Sequence, residues 1–198
     1  PLHQRVPVKR VVCSTYQAAS GAGAAAMSEL EQQARDWSAG TPLKMDIFKR
    51  QYIWNLFSHN SDIDPETGYN TEETKMIKET RKIFHDDGVK VSVTCVRVPV
   101  LRAHCESLSL TFADSIGEND VREILSSAPG VTVMDDREAN KFPEPLDATG
   151  GDDVLVGRIR QDAGQDDGVG IEMFIAGDQL RKGAALNAVQ IAELLLEN

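Results

Sequence analysis

Apolar and polar positions follow two different rhythms along this chain, and each rhythm predicts a different element. Between Met27 and Trp37 the apolar residues lie three or four positions apart, which is typical of one face of a helix. Between Ser107 and Phe112 apolar and polar residues alternate, which predicts a strand with one buried and one wetter face. The chain therefore combines amphipathic helices with strands.

The same two patterns place further elements. Strands are expected at residues 6–13, 89–98, 131–134, 154–159 and 171–176. A helix is expected to begin after Asn70, with Glu73 completing a capping box, and to end before Asp86. Further helices are expected at residues 119–127 and 180–196, and the helix after Met27 should end at Gly40. Neighbouring strands with short links favour an α+β fold, with a mixed, largely antiparallel sheet and flanking helices.

Four segments show neither rhythm. Residues 14–23 are rich in small residues and predict a turn, and residues 43–64 are aromatic and irregular, which we interpret as a packed loop. Residues 141–151 contain prolines and glycines and predict a loop, and residues 162–168 predict a solvated acidic hairpin.

Composition narrows the possible partners. The chain has 198 residues and a net charge of −10, which argues against nucleic acid and acidic membranes as partners. No apolar run is long enough to span a bilayer, and the cysteines have no metal-type spacing, so no metal site is expected. The chain has no initiator Met, and we expect it to be the C-terminal portion of a longer protein.

The most informative chemistry lies between two strands. Arg97 follows an apolar run and His104 comes seven positions later. A buried charge is costly without a partner, so a guanidinium and an imidazole placed together indicate a site for an anion. The alternative is that both side chains are solvated at a strand end. Arg102 lies between them and should share a face with His104.

Two other groups carry weaker signals. Gln17 and the segment Ser20–Gly23 form a strand–turn–helix junction, where small residues let the backbone approach a ligand or merely relieve a tight turn. Glu72 and Lys75 lie one helical turn apart, which fits either an exposed ion pair or a carboxylate and an ammonium that bind substrate.

The cysteines and the other histidines are expected to be structural. Cys13 and Cys95 lie in apolar runs, and Cys105 points away from His104, so none is expected to be a catalytic thiolate. The remaining histidines are expected at the surface or in packing: His3, His59 and His85. A Cys-His hydrolase that uses Cys105 or Cys13 remains an alternative.

Four long motifs carry a family resemblance. They are Ser14 to Gly23 (STYQAASGAG), Asn55 to Asn60 (NLFSHN), Cys95 to His104 (CVRVPVLRAH) and Gly177 to Asn187 (GDQLRKGAALN). In this order they resemble the bacterial and plant-type branch of the aspartate-β-semialdehyde dehydrogenases.

The resemblance implies an oxidoreductase that converts L-aspartyl-4-phosphate to L-aspartate-4-semialdehyde with NADPH, in lysine, threonine and methionine synthesis. It also implies a role for each matching residue. His104 matches the acid/base histidine, Arg97 the carboxylate-binding arginine, Gln17 the residue that orients the acyl intermediate, and Glu72 the residue that contacts the amine. Lys75 matches the phosphate-binding lysine, and the remaining three match cofactor contacts: Ser20, Gly21 and Asn187.

The family also has parts that this chain lacks, namely the Gly-rich NADP-binding half and the nucleophilic cysteine. We therefore expect residues 1–20 to end an NADP-binding domain and residues 21–177 to form the catalytic and dimerisation domain of a glyceraldehyde-3-phosphate-dehydrogenase-like enzyme. Residues 178–198 should pack back on the NADP-binding domain, and the first strand and last helix should lack partners here.

On its own the chain is expected to be inactive. The family implies a homodimer or homotetramer, in the cytoplasm or a plastid stroma. A non-catalytic oligomerisation module of the same fold remains an alternative.

Overall fold

One seven-stranded sheet organises the molecule. A computed structural model describes residues 1–196; the last two residues of the expected 178–198 unit lie outside the described residues. The strands are β1 Val8–Gln17, β2 Phe57–Ser58, β3 Lys90–Arg97, β4 His104–Phe112, β5 Val131–Val133, β6 Val154–Gln161 and β7 Gly170–Gly177. Their order across the sheet is β2-β3-β1-β4-β7-β6-β5.

Two strand pairs are parallel and four are antiparallel, which confirms the mixed, largely antiparallel sheet. The pairs β1 with β3 and β5 with β6 are parallel. The antiparallel pairs are β1 with β4, β2 with β3, β4 with β7 and β6 with β7.

The helices flank this sheet. They are α1 Leu2–Arg5, α2 Ala24–Ala39, α3 Thr71–Phe84, α4 Glu118–Ser126, α5 Pro145–Ala148 and α6 Leu186–Leu196. A 3-10 turn covers Ala19–Ala22, and a π-helical turn at Arg181–Ala185 leads into α6. Among the described residues no helix is long and apolar enough to cross a membrane.

The main core lies on one face of the sheet. There α3 and α4 pack against alternate residues of the central strands, among them Val11, Cys13, Val93, Leu110 and Met173. A smaller cluster on the opposite face joins α5 to the sheet through Ala148, Cys105, Leu155 and Ala176. The strand periodicity of two thus separates a thickly covered face from a thinly covered one.

Most elements agree with the sequence patterns, but four expectations are wrong. The predicted packed loop at 43–64 contains the short strand β2. The first strand does not lack partners: β1 lies between β3 and β4 and pairs with both. It also continues to Gln17 instead of turning at Ser14, because Ser14 and Tyr16 extend the same alternation. The predicted loop at 141–151 contains the short helix α5, which begins at Pro145, a residue suited to a first helical turn.

The central position of β1 concerns the predicted domain boundary after residue 20. Residues 8–17 are the hydrogen-bonded middle of the sheet and are not a separate body in this structure. The domain boundaries themselves stay a prediction.

Candidate active site

Arg97 is the centre of the candidate site. It is the last residue of β3 and only 3% exposed. Its Nε donates to Asn60 Oδ1 at 3.1 Å, its Nη1 to the Ala18 carbonyl at 3.0 Å, and its Nη2 lies 2.8 Å from His59 Nε2. All three partners are neutral acceptors, so no anion among residues 1–196 is bonded to the guanidinium.

His104 approaches the same place from the first position of β4. Its Nδ1 accepts a hydrogen bond from the Ala18 N–H at 3.0 Å. Burial and, to a smaller extent, the nearby Arg97 charge lower the pKa of His104 to about 4. The ring is therefore neutral at pH 7, with its proton on Nε2.

Gly21 shows that the two side chains converge. A Cβ atom at Gly21 would lie 2.9 Å from His104 Nε2 and 3.0 Å from Arg97 Nη1. The 3-10 turn that carries Gly21 is fixed by hydrogen bonds from Ala19 N to Val100 O and from Ser20 N to Leu101 O. Glycine is needed here for space, since any side chain would meet both functional groups.

Glu72 and Lys75 lie near the N-terminus of α3 and form an ion pair, with Lys75 Nζ 3.2 Å from Glu72 Oε2. Lys75 is half exposed and Glu72 is more buried. Burial is the main cause of the lowered pKa values of His59, His104 and Arg97. The negative charge of Glu72 acts in the opposite direction and raises the pKa of all three. Glu72 therefore acts on the same electrostatic centre, with Lys75 at its rim.

Gln17 ends β1 and pairs in register with Arg97 on the neighbouring strand. Gln17 is buried, and its backbone carbonyl accepts hydrogen bonds from Val98 N at 3.1 Å and from Tyr52 Oη at 3.4 Å. The parallel register brings both strand ends to one edge of the sheet, as the candidate chemistry requires.

The predicted cofactor residues separate into two places. Ser20 is buried and its Oγ accepts a hydrogen bond from Gln179 Nε2, while Gly21 lies against His104. Asn187 lies on exposed α6, and no hydrogen bond joins it to the other candidate residues.

Arg102 has a structural partner. Its Nη2 lies 2.7 Å from Oδ2 of the fully buried Asp178, which also accepts from the backbone N–H of Gly150 and Leu180. Burial alone would raise the pKa of Asp178, but these donors outweigh it and hold the pKa below its usual value. The pair anchors the turn that follows β7.

His59 was expected at the surface or in packing, and the structure places its half-buried ring 2.8 Å from Arg97 Nη2. The pairing of Phe57 with Arg97, and the bond from His59 N to Cys95 O, place its ring beside the guanidinium. Asn60 and the buried Tyr52, whose Oη donates to Val98 O at 2.5 Å, were missed as well. The only sequence signal for His59 and Asn60 was the motif from Asn55 to Asn60, because the segment has no periodicity.

The cysteines offer no activated thiol. Burial raises the pKa of Cys95 to about 11 and, together with the Glu106 charge, that of Cys105 to about 12. Burial and the Glu106 carboxylate also raise the pKa of Cys13. These environments oppose thiolate formation, which argues against the Cys-His hydrolase alternative.

Solved structures share this fold. The structure aligns with aspartate semialdehyde dehydrogenase II complexed with ASA from Vibrio cholerae, with a TM-score of 0.94 and 38% identity, over 100% of this chain and 57% of that one. It also aligns with the NADP-bound aspartate semialdehyde dehydrogenase of Candida albicans, with a TM-score of 0.66 and 25% identity, over 98% of this chain and 52% of that one. The fold is therefore that of one portion of such dehydrogenases.

The family follows from the sequence itself. The family model of the semialdehyde dehydrogenase dimerisation domain matches residues 1–182, and this chain belongs to that family. An aspartate-semialdehyde dehydrogenase of Synechocystis is 52% identical over 197 residues, which are 100% of this chain and 57% of the relative. The chain thus spans little more than half the length of the relatives it matches.

Proposed function

We propose that this chain is the substrate-binding and dimerisation portion of an aspartate-semialdehyde dehydrogenase. The reaction is the NADPH-dependent reductive dephosphorylation of L-aspartyl-4-phosphate to L-aspartate-4-semialdehyde. The observation that carries the proposal is the meeting of a buried Arg97 with a neutral His104 beside Gly21, where Arg97 forms no ion pair with any residue that the structure describes. Such a centre suits a small anion that also exchanges a proton.

Each substrate group has a matching side chain. Arg97 binds the α-carboxylate through its remaining N–H groups, and Glu72 binds the α-ammonium. Lys75, a half-exposed cation, binds the phosphate that leaves. Gln17, at the end of β1, orients the acyl group. Proximity of these groups is itself a large part of catalysis, because it replaces encounters in solution with a fixed geometry.

His104 handles the proton. Its Nδ1 is occupied by the Ala18 N–H, so the ring presents an N–H at Nε2 toward the space beside Gly21. This favours the acid part of an acid/base role, in which Nε2 donates to oxygen as charge develops there.

The chain also fits one edge of a nicotinamide cofactor. Gln179 Oε1 is buried and has no hydrogen-bond partner among the described residues, next to the Ser20 hydroxyl that its Nε2 contacts. Such an acceptor suits an amide N–H of a ligand. We propose that Ser20, Gly21 and Asn187 hold NADPH together with Gln179, and NADPH supplies a hydride when bound.

Assembly and pathway follow from the same proposal. The thinly covered sheet face, with half-exposed Val12, Ser14 and Tyr16, offers a surface for a homodimer or homotetramer. The product would feed lysine, threonine and methionine synthesis, in the cytoplasm or a plastid stroma. Residues 21–177 would form the dimerisation domain, and α6 would pack on a nucleotide-binding portion.

The test compares two proteins in phosphate-dependent, NADP-dependent oxidation of L-aspartate-4-semialdehyde. The full-length protein that carries this chain should produce NADPH, and the 198-residue chain alone should not, because nucleophile and cofactor site must meet Arg97 and His104. Full turnover by the isolated chain would refute the division of labour. A full-length protein that dimerises but shows no turnover would favour the oligomerisation module instead.

A further inference from the structure

Arg97 uses only part of its hydrogen-bonding capacity on its neighbours among the described residues. A guanidinium has five N–H donors, and the described residues accept from three of them, one on each nitrogen. One N–H therefore remains on each terminal nitrogen. Two donors on neighbouring nitrogens are what a carboxylate needs for a bidentate pair.

The neutrality of these partners matters as much as their geometry. Among the described residues no carboxylate forms an ion pair with Arg97, although the side chain is 3% exposed. An internal Asp or Glu at the same distance would neutralise the cation before substrate arrives. An amide, an imidazole and a carbonyl hold the plane of the guanidinium and leave its charge uncompensated.

The imidazole of His59 can act only as an acceptor toward Arg97, because the guanidinium has no acceptor atom. Its Nε2 is then unprotonated, and Nδ1–H donates to Ser61 Oγ at 3.0 Å. Ser61 Oγ also accepts from the Glu72 backbone N–H at 3.3 Å. A chain of hydrogen bonds thus joins the first turn of α3, where Glu72 lies, to the guanidinium.

We propose that His59 and Asn60 are positioning residues that fix the plane of the Arg97 guanidinium through neutral acceptors and so reserve its charge for the substrate α-carboxylate. This inference rests on the proposed function. It adds the residues that select a carboxylate-bearing substrate over an analogue that lacks this group.

The test uses the full-length protein and separate KM values for L-aspartate-4-semialdehyde and phosphate. His59→Leu removes the acceptor and should raise the KM for the semialdehyde about 10-fold or more, the scale of a hydrogen bond to a charged group. The KM for phosphate should stay within about twofold, because the substitution leaves the phosphate contact unaltered and removes much less than the roughly 1.4 kcal/mol that a tenfold change needs. His59→Gln restores an acceptor at nearly the same reach. It should return the semialdehyde KM to within about threefold of the unmodified enzyme, which corresponds to a loss in binding free energy of less than half of about 1.4 kcal/mol.

Asn60→Asp separates charge from geometry. It keeps an acceptor for Arg97 Nε but adds a carboxylate, so it should raise the semialdehyde KM at least as much as His59→Leu. The matched control is Asn119→Asp, because exposed Asn119 also accepts from an arginine, Arg122, at 3.3 Å but on α4. This control should leave both KM values unchanged.

The inference is overturned if Asn60→Asp binds the semialdehyde as well as the unmodified enzyme does. It is also overturned if His59→Leu raises both KM values equally, or if His59→Gln gives no recovery. Should the full-length protein lack the reaction altogether, the proposed function fails. Crystal structures of the His59 variants then decide the inference: the guanidinium should turn away in the Leu variant and stay in the Gln variant.

Discussion

At the scale of single residues, the site depends on space as much as on charge. Arg97 and His104 come from two strands, and both reach the backbone of Ala18. They can do so because Gly21, three residues further on, has no side chain. The small residues of this turn are therefore explained by two functional groups that need the room, where the sequence pattern suggested room for a ligand.

Gly21→Ala tests this explanation. The added methyl would lie about 3 Å from both His104 Nε2 and Arg97 Nη1, so these side chains must move. We expect kcat/KM of the full-length protein to fall about 10- to 100-fold, as displacements near 1 Å commonly do. Gly164→Ala, on the exposed acidic hairpin, is the control and should retain activity. Equal activity of the two variants would show that Gly21 does not set the spacing.

At the scale of elements, α3 is the link between packing and site. Asn70 caps the helix by accepting from Glu73 N at 2.9 Å, and the Glu73 carboxylate accepts from Asn70 N and, across the core, from Cys95 N. The cap therefore ties α3 to β3 two residues before Arg97. It also fixes the N-terminal part of the helix, where Glu72 and Lys75 lie.

Asn70→Ala should lower the free energy of unfolding by about 1–2 kcal/mol, because the cap is buried and the helix N-terminus loses its acceptor. Urea denaturation measures the change. Lys78→Ala, on the exposed side of the same helix, is expected to stay within about 0.5 kcal/mol. Equal effects of the two substitutions would mean that the capping box contributes nothing.

The elements also show which features the sequence could and could not predict. The C-terminal limit of β4 and the Asn70 cap were predictable because they depend on neighbours within a few residues. The central place of β1 was not, because it depends on parallel pairing with a strand about 80 residues away. His59 was missed for a similar reason: its position comes from β2 pairing across to β3, in a segment with no periodic signal.

At the scale of the whole molecule, the buried imidazoles couple stability to pH. Burial and the Arg97 charge lower the pKa of both His104 and His59 below 6.5 in the folded state. The unfolded chain then binds more protons than the folded chain between about pH 4 and 6.5, the folded and unfolded pKa values of His104. Stability from these groups is present above pH 6.5 and is lost as the pH falls toward 4.

We therefore expect the free energy of unfolding to decline from pH 6.5 to pH 4.5 within this window. Replacing His104 by Gln should make the decline shallower, by up to about 1.4 kcal/mol per pH unit for one proton. Urea titrations at several pH values measure both slopes. Identical slopes would indicate that His104 keeps its ordinary pKa in the folded protein.

The central claim is that His104, beside Arg97, moves a proton in the reaction of the full-length enzyme. Its most direct test is the steady-state kinetics of His104→Ala in phosphate-dependent oxidation of L-aspartate-4-semialdehyde. We predict that kcat falls about 100-fold or more, while KM for the semialdehyde changes little, as expected for a group that acts in proton transfer. An unchanged kcat would contradict the account.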